Sequence, residues 1–334
     1  MKAFCRVIGI SGLVVLFLLG TTQGGGAQVI QMKFAHYAEE THPGAIAAKQ
    51  FAAKVEERTK GQVKVTIYPA SVLGSPPEQA EQVKLGAIDM SVPGQGILDK
   101  WVKAFSVVML PFAYDNYDHA HRVLDGPSMG WFSPLAEKEG FIVLSNWEWG
   151  FRNLTNNKRP ILKPEDVKGL KIRTPPEIQM QVSMEALGGI VTKIAFQEVY
   201  MALAQGVVDG QENPIPVIYH NKFWEVQKHL ALTGHIYNNW VHVINAKSWG
   251  KLTAEQKKIF QEESKAAGAY MRKAVMADEA DQVSKMEKAG VKVTRPDLVP
   301  FRAAMGPAYE KIGKYAGEDN VKTFMKFVED SRKK

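Results

Sequence analysis

Cysteine is nearly absent: among 334 residues the only one is Cys5. The rest of the chain can therefore form no disulfide, present no thiolate nucleophile and bind no metal through sulfur. Its stability has to come from burying apolar surface, and a chain of this length has ample surface to bury. Long apolar runs are also scarce. The run from Val7 to Leu19 is shorter than the roughly 20 residues that a spanning helix needs. No GxxxxGK[ST] loop, HExxH or GxGxxG occurs in the chain, and Gly94-Gln95-Gly96 is too short to stand for the last of these. Gly126-Pro127-Ser128-Met129-Gly130 carries the letters GxSxG but follows a predicted helix, whereas a nucleophile elbow follows a strand. His119 and His121 are two residues apart on a predicted helix, so they face different ways and do not read as a metal pair. Basic residues are interspersed with acidic ones, and no basic arm points to nucleic acid. These absences leave no catalytic constellation, no metal site and no cofactor motif.

What is present begins with an export signature. Lys2 and Arg6 flank a short basic start, the apolar run follows, and Gly25-Gly26-Ala27 supplies small residues before Gln28. That layout predicts a signal peptide over residues 1–27 and a periplasmic destination. Cys5 precedes the apolar run, so it does not read as a lipid-attachment site. The formal charge is +7; removing Lys2 and Arg6, with no acidic residue beside them, leaves +5. A modest positive balance suits an anionic ligand but says nothing about fold.

The remaining 300-odd residues alternate strand and helix patterns. Val29 to Tyr37, Val63 to Tyr68 and Ala87 to Val92 read as strands, with helices at Gly44 to Arg58 and Glu78 to Leu85 between them. A β-α-β-α-β order predicts an α/β fold whose parallel sheet carries helices on both faces. Ligands of such sheets sit beyond the carboxyl ends of the strands. Here those ends are His36-Tyr37 and Pro93 to Gly96. Further strands are predicted at Phe141 to Leu144, at Leu170 to Ile172, at Ile190 to Lys193, at Val208-Asp209 and at Val291 to Thr294. Helices are predicted at Tyr117 to Leu124, Ile178 to Leu187 and Phe196 to Gln205. Thr253-Ala254-Glu255-Gln256 is a capping box, and an unbroken helical pattern follows to about Lys288. Two helices, Leu298 to Lys314 and Asn320 to Ser331, are predicted to close the chain.

The most informative stretch is Gly169 to Pro214. A short apolar strand delivers Arg173 into Thr174-Pro175-Pro176, where the prolines turn the chain away. A guanidinium held at a strand end can clamp a carboxylate through two parallel hydrogen bonds. A surface or ion-paired arginine is the competing reading of the same pattern.

The segments KGLKIRTPP and IAFQEVYMALAQGVVDGQENP resemble the signature region of solute receptors of TRAP (tripartite ATP-independent periplasmic) transporters, the DctP type. The likeness extends through FAHYAEETHPG, GFRNLTNNKRP, KFWEVQKHLALTGHIYNNW and GVKVTRPDLVPF, nearly the whole chain after residue 27. It implies two α/β lobes joined by crossing strands, with the long helix spanning both lobes. Lobe I would comprise 28–151 with 240–279, and lobe II 152–239 with 280–334. Crossings are expected near Gly150 to Arg152, near Tyr237 to Val241 and within the long helix.

The same likeness implies a small carboxylate captured between the lobes by hinge closure and delivered to membrane-embedded transporter subunits, by a monomer that needs no cofactor. A sensor-kinase input module would use the same pocket with a different partner. Arg173 matches the family's carboxylate-pairing arginine, and Arg152 matches a second arginine near the ligand. Arg152 is also placed to bridge two strands. Asn213 offers an amide for a hydroxyl or carboxylate oxygen, although it also suits a turn before Pro214. Phe196 resembles an aromatic on the pocket floor, and equally the start of a helix core. Tyr37 and Gln95 stand at strand ends facing the cleft. Trp147, Trp149 and Trp240 flank it, and Trp240 is expected to touch ligand. Sialic acid receptors are expected to carry polar or acidic residues near positions 75 and 94 and asparagine near 37. Ser75, Gly94 and Tyr37 stand there instead, which points to a smaller or flatter acid: a sugar acid, a 2-oxo or hydroxy acid, a C4 dicarboxylate or an aromatic acid.

Overall fold

The computed structural model describes residues 28–332. The export segment predicted over 1–27 lies outside them. Nine strands form one sheet: β1 (Ile30–Ala35), β2 (Val63–Tyr68), β3 (Met90–Ser91), β4 (Phe141–Asn156), β5 (Lys171–Thr174), β6 (Ile190–Lys193), β7 (Gly210–Pro214), β8 (His229–Asn245) and β9 (Lys292–Thr294). Their order is β2-β1-β3-β8-β4-β7-β5-β6, with β9 added to β8. β1 runs parallel to β2 and β3, and β5 runs parallel to β6 and β7. Two parallel groups therefore stand at the two ends of the sheet. They are joined by the antiparallel pair β4 and β8, which pairs from Phe141↔Asn245 to Asn156↔His229.

These two long strands are what the sequence pattern showed least. The strand expected to end at Leu144 continues to Asn156, and β8 is 17 residues long. Their middle residues are buried on both faces, so polar and apolar residues do not alternate and a periodicity of two is lost. Three register shifts interrupt the pair, between Val143 and Ser145, Glu148 and Gly150, and Arg152 and Leu154. The middle one places Gly150 at φ 118°, where a Cβ would lie 2.9 Å from Pro214 Cβ. Gly150→Ala is expected to cost about 1–3 kcal/mol through backbone strain and overlap, read as a lower midpoint in urea. An unchanged midpoint would show that the shift relaxes freely.

Other differences are local. The strand expected over Ala87 to Val92 pairs only at Met90–Ser91. The one expected at Val208-Asp209 lies at Gly210–Pro214, which puts Asn213 inside a strand and not in a turn. The helix expected from Leu298 to Lys314 is divided into Val299–Ala303 and Gly306–Ala316, where Gly306-Pro307 restarts it.

The long helix runs over Ala254–Lys288, and Thr253 accepts a hydrogen bond from the Gln256 N–H as its cap. Phe260, Ser264, Ala267, Met271 and Val275 lie along its buried face at helical spacing. That face covers β4 and the helix Pro43–Arg58. Phe51 links the two helices, meeting Phe260 edge-on at 5.5 Å and Phe34 of β1 at 5.8 Å. The C-terminal helices close a second core. Gly306–Ala316 packs on Ile178–Ala186, and Glu318–Arg332 packs on Tyr117–Asp125. No described helix is long and apolar enough to cross a membrane.

Candidate functional site

Because β4, β7 and β5 lie side by side, Arg152, Asn213 and Arg173 come from three neighbouring strands. They line a cleft of about 220 Å³. Tyr37 and Phe196 line it as well. Five of the seven residues expected from the sequence therefore share one cavity. Gln95 and Trp240 do not form its wall. Gln95 turns inward, and its Oε1 accepts a hydrogen bond from Asn239 Nδ2 at 2.6 Å. Trp240 is fully buried, stacked on Trp149 at 4.5 Å, and its indole N–H donates to the Tyr37 hydroxyl. The tryptophan that lines the cleft is Trp149. The register shift between Glu148 and Gly150 separates it from Trp147, whose indole N–H is spent on Ser264 O.

Arg173 is only 1% exposed. Its Nε and one Nη2 hydrogen both donate to Ile194 O, at 2.9 and 2.7 Å. This fork fixes the guanidinium plane without neutralising it. Among the described residues no carboxylate lies within ion-pair distance of Arg173, and its remaining N–H groups face the cleft. Burial, reinforced by the nearby Arg152 cation, pushes its pKa down to about 9. The site holds a buried cation that lacks a counterion.

Arg152 is the opposite case. Its Nε donates to Glu212 Oε2 at 2.5 Å and its Nη2 to Glu212 Oε1 at 2.7 Å, a two-pronged ion pair. A further bond from Nη2 reaches Glu212 O, and Nη1 donates to Asn238 Oδ1 at 2.8 Å. Arg152 thus bridges β4 to β7 while touching the cleft. Asn213 donates through Nδ2 to Gln211 Oε1 at 2.6 Å, and Gln211 in turn donates to Thr155 Oγ1 at 3.0 Å. That chain fixes the amide and leaves Asn213 Oδ1 as an acceptor. The Tyr37 hydroxyl accepts from Trp240, so its own proton remains available to a ligand.

The sequence does not single out three polar residues of the wall, Glu177, Lys193 and Asn238, or the apolar Ile97, Pro76 and Pro77. Glu177 follows Pro176 directly, and that position beside Arg173 is the only hint it offers. His119 and His121 are occupied structurally: one contacts Val328 O and the other Glu148 Oε2. No cluster of metal-ligating side chains occurs among the described residues.

A small cleft between strand ends, with a fixed cation at its base and largely apolar walls, defines a binding protein for a small anionic solute. The comparisons are specific. The family model for bacterial extracellular solute-binding protein, family 7 (DctP), matches residues 34–315, and the chain belongs to that family. It is a solute receptor of the TRAP type. It is 36% identical over 276 residues to the sialic acid-binding periplasmic protein SiaP of Vibrio cholerae, covering 82% of this chain and 86% of that one. A TRAP periplasmic solute-binding protein of a Polaromonas species, bound to D-erythronate, superposes with a TM-score of 0.85 at 36% identity. That match covers 89% of this chain and 98% of the other. Another, from Sulfurospirillum deleyianum with bound succinate, gives 0.83 at 32% identity over 88% and 98%.

Proposed function

We propose that the protein captures a small organic acid in this cleft and hands it to the membrane subunits of a TRAP transporter. One observation carries the reading: the uncompensated Arg173 guanidinium, held in plane by Ile194 O and open to the cavity. A buried cation without a partner costs several kcal/mol, and a ligand carboxylate supplies the missing charge through a charge-assisted pair. Asn213 Oδ1 and the Tyr37 hydroxyl complete the polar contacts, while Trp149 and Phe196 exclude water from the ligand. Relatives in complex with D-erythronate and with succinate support an acid as the guest.

Capture proceeds by hinge motion between lobes 28–151 with 240–279 and 152–239 with 280–334. The register shifts in β4 and β8 form the flexible crossing. The ligand stabilises the closed form because only there does it contact both lobes. The chain itself performs no catalysis, acts as a monomer in the periplasm and loses residues 1–27 on export.

The test is a thermal shift of the purified protein against a panel of small acids, with neutral and cationic solutes as controls. A ligand at 100 times its dissociation constant adds about 2.7 kcal/mol to the folded state, a readily measured rise in Tm. Stabilisation by carboxylates alone is the expected result. A response confined to neutral or cationic solutes would make Arg173 structural and end this reading.

A further inference from the structure

Glu177 stands at the start of the helix Ile178–Ala186, yet its side chain makes no capping hydrogen bond. It turns into the cleft instead, 7% exposed, and its Oε2 is buried with no hydrogen-bond partner. A buried carboxyl left unpaired is costly, and native proteins seldom keep one without a use. The sequence around it makes room for this orientation. A Cβ on Gly96 would lie 3.0 Å from Glu177 Oε2, tighter than ordinary contact, so the glycine there lets the carboxyl settle against the chain.

We infer that Glu177 is the second recognition pole of the cleft: it hydrogen-bonds a ligand hydroxyl and repels a second carboxylate, so the receptor prefers hydroxylated monocarboxylates to dicarboxylates. This rests on the reading of Arg173 as the carboxylate anchor. The charges inside the cleft lead to the same class. Arg152 and Glu212 cancel each other. One ligand carboxylate neutralises Arg173, and the remaining cation of the wall, Lys193, is exposed. A second carboxylate would enter the buried part uncompensated, beside another acid. A hydroxyl both donates and accepts, so it pairs with Glu177 in either protonation state.

That versatility matters because Glu177 titrates near neutrality. Burial pushes its pKa up, Arg152 on β4 pulls it back, Asp99 on the turn Gln95–Lys100 and Glu212 on β7 raise it, and Arg173 on β5 lowers it, leaving it at about 7. A dicarboxylate would meet a neutral carboxyl below that pH and a like charge above it. A hydroxy acid would meet a partner on both sides.

The experiment is calorimetric binding of D-erythronate and succinate at about pH 6 and about pH 8, with the wild type, Glu177→Gln and Glu177→Asp. For the wild type at the higher pH, erythronate is expected to bind at least about tenfold tighter than succinate. Succinate affinity should fall about fivefold or more between the two pH values, and erythronate affinity by less than about twofold. Glu177→Gln should erase the succinate slope and shrink the preference at least about tenfold, while Glu177→Asp, which keeps the charge, should keep both the preference and the slope. A preference and slope that survive in Glu177→Gln, a wild type that favours succinate, or a preference lost in Glu177→Asp would each overturn the role of Glu177. If the folded wild type binds neither acid, the Arg173 reading itself fails. If Glu177→Gln does not fold, the slopes of the wild type and Glu177→Asp still decide.

Discussion

Replacing Arg173 with methionine is expected to weaken carboxylate binding by at least about a hundredfold, or about 2.7 kcal/mol. The unliganded fold should stay within about 1 kcal/mol of the wild type. The two halves of this result have one cause. In the unliganded protein the guanidinium is buried beside another cation and donates only to Ile194 O. Methionine gives up those bonds, at about 1–3 kcal/mol, but removes a buried charge that no acid pairs directly and that Glu212 and Glu177 offset only in part. Water from the cleft can also reach the Ile194 carbonyl. With ligand bound, the same substitution leaves a carboxylate in a dry site with no cation, and that loss has no counterweight. Calorimetric titration with a binding acid measures the first half and urea unfolding the second. Unchanged affinity in a folded variant would remove Arg173 from the site. A stability loss of several kcal/mol would make it a structural residue.

How much of this could be read from the sequence follows from range. KIRTPP announces its own geometry because every step is local: a strand, a charged residue at its end, and prolines that force a turn. The long helix was as legible, since Thr253 and Gln256 mark its start and the apolar spacing carries through to Lys288. The far half of β4 was not legible. Asn146, Glu148, Arg152 and Asn153 are buried polar residues whose hydrogen-bond partners lie up to 93 residues away in the chain, so their strand has no alternating signature. The sequence allows Arg152 to be ligand contact or strand bridge, and only the position of Glu212 shows how fully the bridge is made. The sequence places Trp240 and Gln95 at the right end of the sheet, but strand register decides which of two neighbouring side chains of β8 faces the cleft, and Gln95 begins the 3-10 turn Gln95–Lys100, which carries its side chain inward. No sequence pattern marks Glu177, although it sits four residues after Arg173. A glutamate at a helix start reads as surface, and only its unbonded Oε2 marks it otherwise.

Arg152→Met should behave unlike Arg173→Met: it is expected to destabilise the fold by about 3–5 kcal/mol, because it strands Glu212 as a buried anion. Glu212 is fully buried. Burial works to raise its pKa, but the Arg152 charge and hydrogen bonds from His235 and Arg152 hold it below the ordinary carboxylate range. With the arginine gone, burial prevails and the folded-state pKa rises above the unfolded value. The sign of the pH dependence then reverses. In the wild type this group contributes stability above the unfolded pKa and loses it as pH falls through the depressed folded value. In the variant the acid can escape its penalty by taking a proton, so the variant recovers stability relative to the wild type as pH falls from about 8 to about 5. The double variant Arg152→Met with Glu212→Gln removes the stranded charge altogether and should restore most of the loss at neutral pH, as replacement of a buried pair by neutral groups often does. Urea unfolding of the three proteins across that pH range measures all of this. A loss that neither shrinks at low pH nor is relieved by Glu212→Gln would mean that Arg152 holds β4 to β7 by packing and by its bonds to Glu212 O and Asn238, not by its charge.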